Sequence, residues 1–139
     1  MNGLRVGDTL GPVRHRPDPV TLFLYSAVLW NPHRIHYDAD YARDVAGHPG
    51  VVVPGPLQGV FLEQLLIAWA RPGTLVELRY RNRSAAYLGD ELVVEGRVTE
   101  VDPDGHRTRC EVRVVTAEGR TTTTGEGLVE LPSPGTPTA

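Results

Sequence analysis

Two short stretches of the 139-residue chain hold most of its capacity for chemistry. The first, Asn31-Pro-His-Arg-Ile-His-Tyr-Asp38, sets two imidazoles, a carboxamide, a guanidinium and a carboxylate between apolar segments. The second, Pro54-Gly55-Pro56, opens a long apolar run, Leu57 to Arg71, with helical spacing. A helix N-terminus presents unpaired N–H groups and the positive end of a dipole. Of residues 54 to 56 only Gly55 has an N–H, and its missing Cβ lets a ligand approach closely. A carbonyl oxygen seated there would be polarised, and an imidazole nearby would complete a site for proton transfer beside that carbonyl. A polar surface loop is the bland alternative for residues 31–38, and the short distance along the chain to Pro54-Gly55-Pro56 weighs against it.

The remaining candidates carry less. His33 and His36 have the spacing of a metal pair, but without Cys or a further placed ligand the pattern is weak, and no metal is expected. Arg79, Arg81 and Arg83 alternate along one strand face and could meet phosphates, although a solvated sheet face explains them more simply. Glu63 lies about two turns into the apolar helix, where it is expected to point away from the site. His15, His48 and His106 fall in arms or turns, and Trp30 and Trp69 read as core.

Several elements must position these residues. Leu4 to Pro17 is a Gly/Pro-punctuated arm with an extended piece over Gly11 to Arg16. Val20 to Trp30 is apolar enough to be buried and is read as a short helix ended by Asn31-Pro32, since a residue before proline avoids the helical region. Asp38 to Ala46 allows another turn or two of helix before the loop Gly47-His-Pro-Gly50 and the β-branched Val51-Val-Val53. Leu57 to Arg71 is apolar around nearly its whole circumference and must be buried, with Pro56 at a first helical position and Pro72-Gly73 as the stop. From Thr74 the period becomes two. Val76, Leu78 and Tyr80, then Leu92, Val94 and Val98, then Cys110, Val112 and Val114 alternate with charged residues, and a last strand covers Arg120 to Leu131. Turns are expected at Leu88-Gly89-Asp90, Asp102 to Gly105 and Ala117 to Gly119. The economical packing is an α+β domain in which a four-stranded antiparallel meander curls around the apolar helix, the hot-dog arrangement. Residues 1–131 form that single domain, and the Pro-rich tail 132–139 is expected to be mobile. Such a sheet leaves an edge and an apolar margin uncovered, so a dimer or larger assembly is expected.

Composition narrows the function. Hydrophobic residues make up 40% and charged residues 22%, as in a globular domain, and the net charge of -3 excludes a basic surface for nucleic acid or an anionic membrane. All 14 cationic side chains are Arg, which removes lysine Schiff-base and P-loop chemistry. Cys110 has no partner for a disulfide, and no charged-then-apolar leader pattern opens the sequence, so a cytoplasmic location is expected.

Tyr25-Ser-Ala-Val-Leu-Trp-Asn-Pro-His-Arg-Ile-His-Tyr-Asp38 with Tyr41-Ala42, then Val51-Val-Val-Pro-Gly-Pro-Leu57, resembles the MaoC-like hydratase/dehydratase family. The likeness is to the C-terminal half of double hot-dog 3-hydroxyacyl-thioester dehydratases and mesaconyl-CoA-type hydratases. Arg5-Val-Gly-Asp8 and Leu88-Gly-Asp-Glu-Leu92 extend it to about 130 residues. The resemblance implies reversible hydration of an enoyl thioester of CoA or acyl carrier protein, with no cofactor. It places the family's histidine on His36, the thioester-oxygen donor on Gly55 N–H, and the family's water-binding Asp on Asn31, which can orient a water but cannot take its proton. Unless Asp38 reaches in, His36 is the only strong base. Pro54 stands where many members have His. Two other readings remain: a non-catalytic hot-dog subunit of a heteromeric dehydratase, and an acyl-CoA thioesterase on the same fold.

Overall fold

The computed structural model describes residues 4–132; the tail expected to be mobile falls almost wholly outside them. The elements run β1 (Thr9–His15), α1 (Pro19–Val28), a 3₁₀ turn (Arg34–His36), a π-type turn (Tyr41–Val45), α2 (Gly55–Ala70), β2 (Thr74–Asn82), β3 (Leu92–Val101), β4 (Arg107–Thr116) and β5 (Thr121–Glu130). All pairings are antiparallel, in one five-stranded sheet ordered β1-β3-β4-β5-β2. The sheet wraps α2 in the hot-dog arrangement. Leu62 and Leu66 of α2, Leu10 of β1, Leu92, Val94 and Val98 of β3, Val114 of β4 and Val129 of β5 form its fully buried centre. Burying each such side chain contributes roughly 1.5–3 kcal/mol.

Two details depart from the sequence expectation. The sheet is not a four-stranded meander: β2 pairs with β5, and β1 adds a fifth strand beside β3. The turn expected at Leu88-Gly89-Asp90 does form, with Asp90 N–H donating to Tyr87 O at 3.0 Å, inside a long connection, residues 83–91, that carries the chain from one sheet edge toward the other. On the way it bonds Val51–Val53, through Val53 N–H to Ala86 O (2.8 Å) and Leu88 N–H to Val51 O (2.8 Å). Within β2, a bulge between Leu75 and Glu77 turns Val76 outward, 48% exposed, while Leu75 and Leu78 pack against the core.

α1 (Pro19–Val28) forms where a helix is expected but ends two residues before Trp30. Asp18 caps it, its carboxylate accepting from Thr21 N–H at 2.7 Å, and Pro19 takes the first turn. It is not buried as its apolarity suggests. Only Leu22 and Ser26 are enclosed, whereas Phe23 is 56%, Val28 82% and Trp30 90% exposed. Trp30 is therefore not core, while Trp69 does pack against it. α2 likewise leaves Glu63, Gln64, Ile67 and Ala68 exposed, so its apolar surface is not buried all round.

Candidate active site

α1 ends in a reversal rather than a gradual fray. Trp30 takes a left-handed conformation (φ 52°) and Asn31 N–H returns to Ser26 O at 2.8 Å. The Asn31 carboxamide then folds over the next turn, its Oδ1 accepting from His33 N–H at 3.1 Å. Because an N–H must meet an oxygen, that bond sets the amide orientation and leaves Nδ2 as the end free to donate. His33 caps the 3₁₀ turn, its Nδ1 accepting from Ile35 N–H at 3.4 Å, and is exposed.

His36 closes the same turn and is buried. Its Nδ1 lies 2.8 Å from Val52 O. A carbonyl only accepts, so Nδ1 carries the proton and Nε2 keeps its lone pair. Burial holds the imidazole below its ordinary pKa; the Val52 bond opposes this, and the nearby His33 and His48 rings add to the lowering. The ring is thus neutral at neutral pH and able to accept a proton. Val52 N–H returns the tie by donating to Ile35 O at 2.8 Å.

Three residues on, the chain enters α2. Leu57 N–H and Gln58 N–H both donate to Pro54 O, at 3.1 and 3.4 Å, and Pro56 has no N–H. The usual set of unpaired first-turn donors is thereby reduced to Gly55. Val52 to Gly55 spans at most about 10 Å of extended chain, so the imidazole and this donor share one neighbourhood.

Asp38 does not reach in. Its carboxylate accepts from Arg34 Nη2 (2.7 Å) and Nε (3.1 Å) and from Tyr41 N–H (3.0 Å). The Tyr41 N–H bond, followed by that from Arg34, holds its pKa below the ordinary range. It staples the 3₁₀ turn that carries His36 to the π-type turn that follows. Glu63 is exposed, as expected. Arg79 pairs with Glu77 at 2.8 Å and Arg83 donates to Thr124 Oγ1 at 2.9 Å, both on the exposed sheet surface. Burial pushes the Cys110 thiol up to about 11, so it is no nucleophile. Among the described residues no three His, Cys, Asp or Glu side chains cluster closely enough to hold a metal ion, and no helix is long and apolar enough to cross a membrane.

One neighbour escapes sequence inspection. Asn82, at the end of β2, lays its amide against Gly55: a Cβ added there would sit 2.8 Å from Asn82 Cγ and closer still to Nδ2. Asn82 Oδ1 and Thr123 Oγ1 are 2.9 Å apart, and Gln58 Oε1 lies 2.5 Å from Thr122 Oγ1 and 2.9 Å from Thr123 Oγ1. Gln58, Thr122 and Thr123 are fully buried.

The family model for hydroxyacyl-thioester dehydratase type 2 matches residues 10–88, which include Asn31, His36, Gly55 and Asn82. The chain belongs to this family. It is 55% identical over 49 residues to mesaconyl-C(4)-CoA hydratase of Chloroflexus aurantiacus, a match covering 35% of this chain and 18% of that protein. Among solved structures it is similar to the (R)-hydratase from A. caviae involved in PHA biosynthesis, with a TM-score of 0.84 at 22% identity over 95% of this chain and all of the other. The ChsH1-ChsH2 complex from Mycobacterium tuberculosis superposes with a TM-score of 0.80 at 18% identity over 92% of this chain and 98% of that one. These structural likenesses show the hot-dog fold, and the matched stretch spans under a fifth of the curated hydratase's length.

Proposed function

We propose that the chain catalyses reversible hydration of a 2-enoyl thioester, the reverse reaction being dehydration of a 3-hydroxyacyl thioester. The observation that carries this reading is the His36 Nδ1 to Val52 O bond. It fixes a buried, neutral imidazole with Nε2 unprotonated, on a segment three residues before the single free donor of the central helix. Family membership supports the reaction class.

In the hydration direction Gly55 N–H takes the thioester oxygen. Asn31 Nδ2 donates to a water and His36 Nε2 accepts one of its protons as the water oxygen bonds to C3. The C2=C3 electrons shift toward C2 and the thioester oxygen, where Gly55 holds the enolate-like charge. The imidazolium then returns the proton to C2, so H and OH have been added and His36 is neutral again. A donor preorganised for that charge is worth roughly 3–4 kcal/mol, and the positioned acid-base about 10²–10⁴ in rate. The acyl group is carried on CoA or an acyl carrier protein, and the reaction uses no cofactor. The lone thiol of Cys110 suits a reducing compartment such as the cytoplasm.

The assembly in this reading is a dimer or a pair with another hot-dog chain. The exposed apolar residues of α1 and the unpaired edge of β2 support it. Pro54, which offers no side-chain cap or polar contact at the helix entrance, favours one second reading: a subunit whose working residues lie on its partner. Crotonyl-CoA and longer enoyl-CoAs, incubated with the purified chain alone and with a co-expressed hot-dog protein, separate the two. Loss of the conjugated thioester absorbance with the chain alone, abolished by His36→Asn, supports catalysis here. Loss only with the partner present, and insensitive to His36→Asn, supports the second reading.

A further inference from the structure

We infer that the side-chain amide of Asn82 is a second hydrogen-bond donor to the thioester oxygen, acting beside Gly55 N–H. The inference rests on the hydratase reading above and names a substrate-contacting residue for that same site.

The structure turns Oδ1 of the amide to Thr123 and Nδ2 to Gly55, and the hydroxyl protons nearby suit that orientation. Thr122 and Thr123 each have one hydroxyl proton; two amide oxygens, Gln58 Oε1 and Asn82 Oδ1, lie within reach, and Thr122 also lies 3.3 Å from Val114 O. The shorter contact, 2.5 Å, assigns the Thr122 proton to Gln58. Thr123 then gives its proton to Asn82 Oδ1 at 2.9 Å, and both acceptors are served. Thr123 is fully enclosed and is the cross-strand partner of Asn82, so the sheet itself holds Oδ1 inward. The opposite end of the amide, Nδ2, is the atom nearest the place where a Gly55 Cβ would be, and Asn82 as a residue stays exposed to solvent. Two N–H donors, one backbone and one side-chain, therefore lie side by side at the entrance of α2, and both lack an acceptor among the described residues. Neighbouring donors that are held in place before charge develops are what stabilises a carbonyl oxygen as it becomes an enolate. The arrangement also accounts for Gly55: any larger residue would collide with the amide.

The test is steady-state kinetics of Asn82→Leu, which keeps the shape and removes the donor, with crotonyl-CoA as probe and thermal unfolding of each variant as the folding control. The expected result is a fall in kcat of about 10²-fold or more with KM changed less than about threefold, since the bond strengthens only as charge develops. Thr123→Val, which frees the amide, should lower kcat by a smaller factor, and the double variant should be no slower than Asn82→Leu alone. Asn82→Gln should recover part of the lost turnover. If Asn82→Leu stays folded and keeps kcat within about threefold of wild type, the inference is overturned while the hydratase reading stands. A further check does not depend on turnover: the Asn82 side-chain amide protons should move downfield in a nitrogen-15 correlation spectrum when 3-hydroxybutyryl-CoA binds. Resonances around His36 that move while those of Asn82 do not would also overturn it. Wild-type protein that neither turns over nor binds these thioesters, alone or with a hot-dog partner, would sink the hydratase reading and this inference with it.

Discussion

In the proposed mechanism His36 has two separable jobs, and one pair of substitutions divides them. Its Nδ1–H satisfies the buried Val52 carbonyl at 2.8 Å, while Nε2 is assigned the proton transfer. In His36→Asn the carboxamide Nδ2 takes roughly the place of Nδ1 and can keep donating to Val52, but nothing replaces Nε2. kcat should therefore fall by about 10²–10⁴, some 3–5 kcal/mol of transition-state stabilisation, with little change in unfolding temperature. His36→Ala removes both functions. It should lose the same rate and, in addition, roughly 1–3 kcal/mol of stability for the carbonyl left without a partner, a drop of several degrees in a domain of this size. The pH dependence gives an independent reading. Burial lowers the folded-state pKa of His36 below its ordinary 6.5, so the unfolded chain binds the proton more readily. The stability this group contributes is complete above the unfolded value and is lost as pH falls from there through the folded value. kcat/KM should rise along a single limb whose midpoint lies below 6.5 and then level off, because the base must be neutral to work. Continuous assays that follow the conjugated enoyl-thioester absorbance, with urea melts in parallel, supply both quantities. If His36→Asn hydrated crotonyl-CoA within tenfold of wild type, or if the limb lay well above 6.5, His36 could not be the base.

Three shorter expectations accompany it. Asn31→Asp should retain or raise turnover, since one carboxylate oxygen can still accept from His33 N–H and the other adds a base, whereas Asn31→Leu should lose most of it; equal rates for Leu and Asn would disprove the water site. Gly55→Ala should cost about 1–3 kcal/mol in a thermal melt and depress kcat as well, because its methyl group must displace the Asn82 amide; an unaffected variant would show that the close approach is not maintained in solution. Light scattering should find a dimer or larger, and Trp30→Asp with Phe23→Ser should weaken it, as these side chains are exposed on α1 and just beyond its end; a wild-type monomer at micromolar concentration would contradict the assembly.

Much of this protein is determined locally, and that part can be read without coordinates. The shift from a helical to a two-residue period marks α2 and the strands, and Pro54, Pro56 and Pro72-Gly73 bound α2 because proline and glycine act on their own stretch of backbone. The polar cluster 31–38 and the Gly55 donor are legible for the same reason, residue type and the chemistry of a helix start being properties of short segments, whereas singling out His36 and Asn31 within that cluster is what the family resemblance implies. Tertiary structure decided the rest. A two-residue period says which face of a strand is apolar but not which strand lies beside it, so the pairing of β2 with β5 emerged only when the sheet closed around α2. Val76 follows the alternation in sequence and leaves it in space, because the bulge in β2 adds a residue that no pattern announces. The apolar α1 reads as core, yet hydrophobicity is the same signal whether the cover is this chain or another, and here most of that face is open. Asn82 meets Gly55 because strand β2 passes the start of α2 and β5 pins the amide through Thr123, a juxtaposition made by packing between segments distant along the chain, on which neither residue's own neighbours bear.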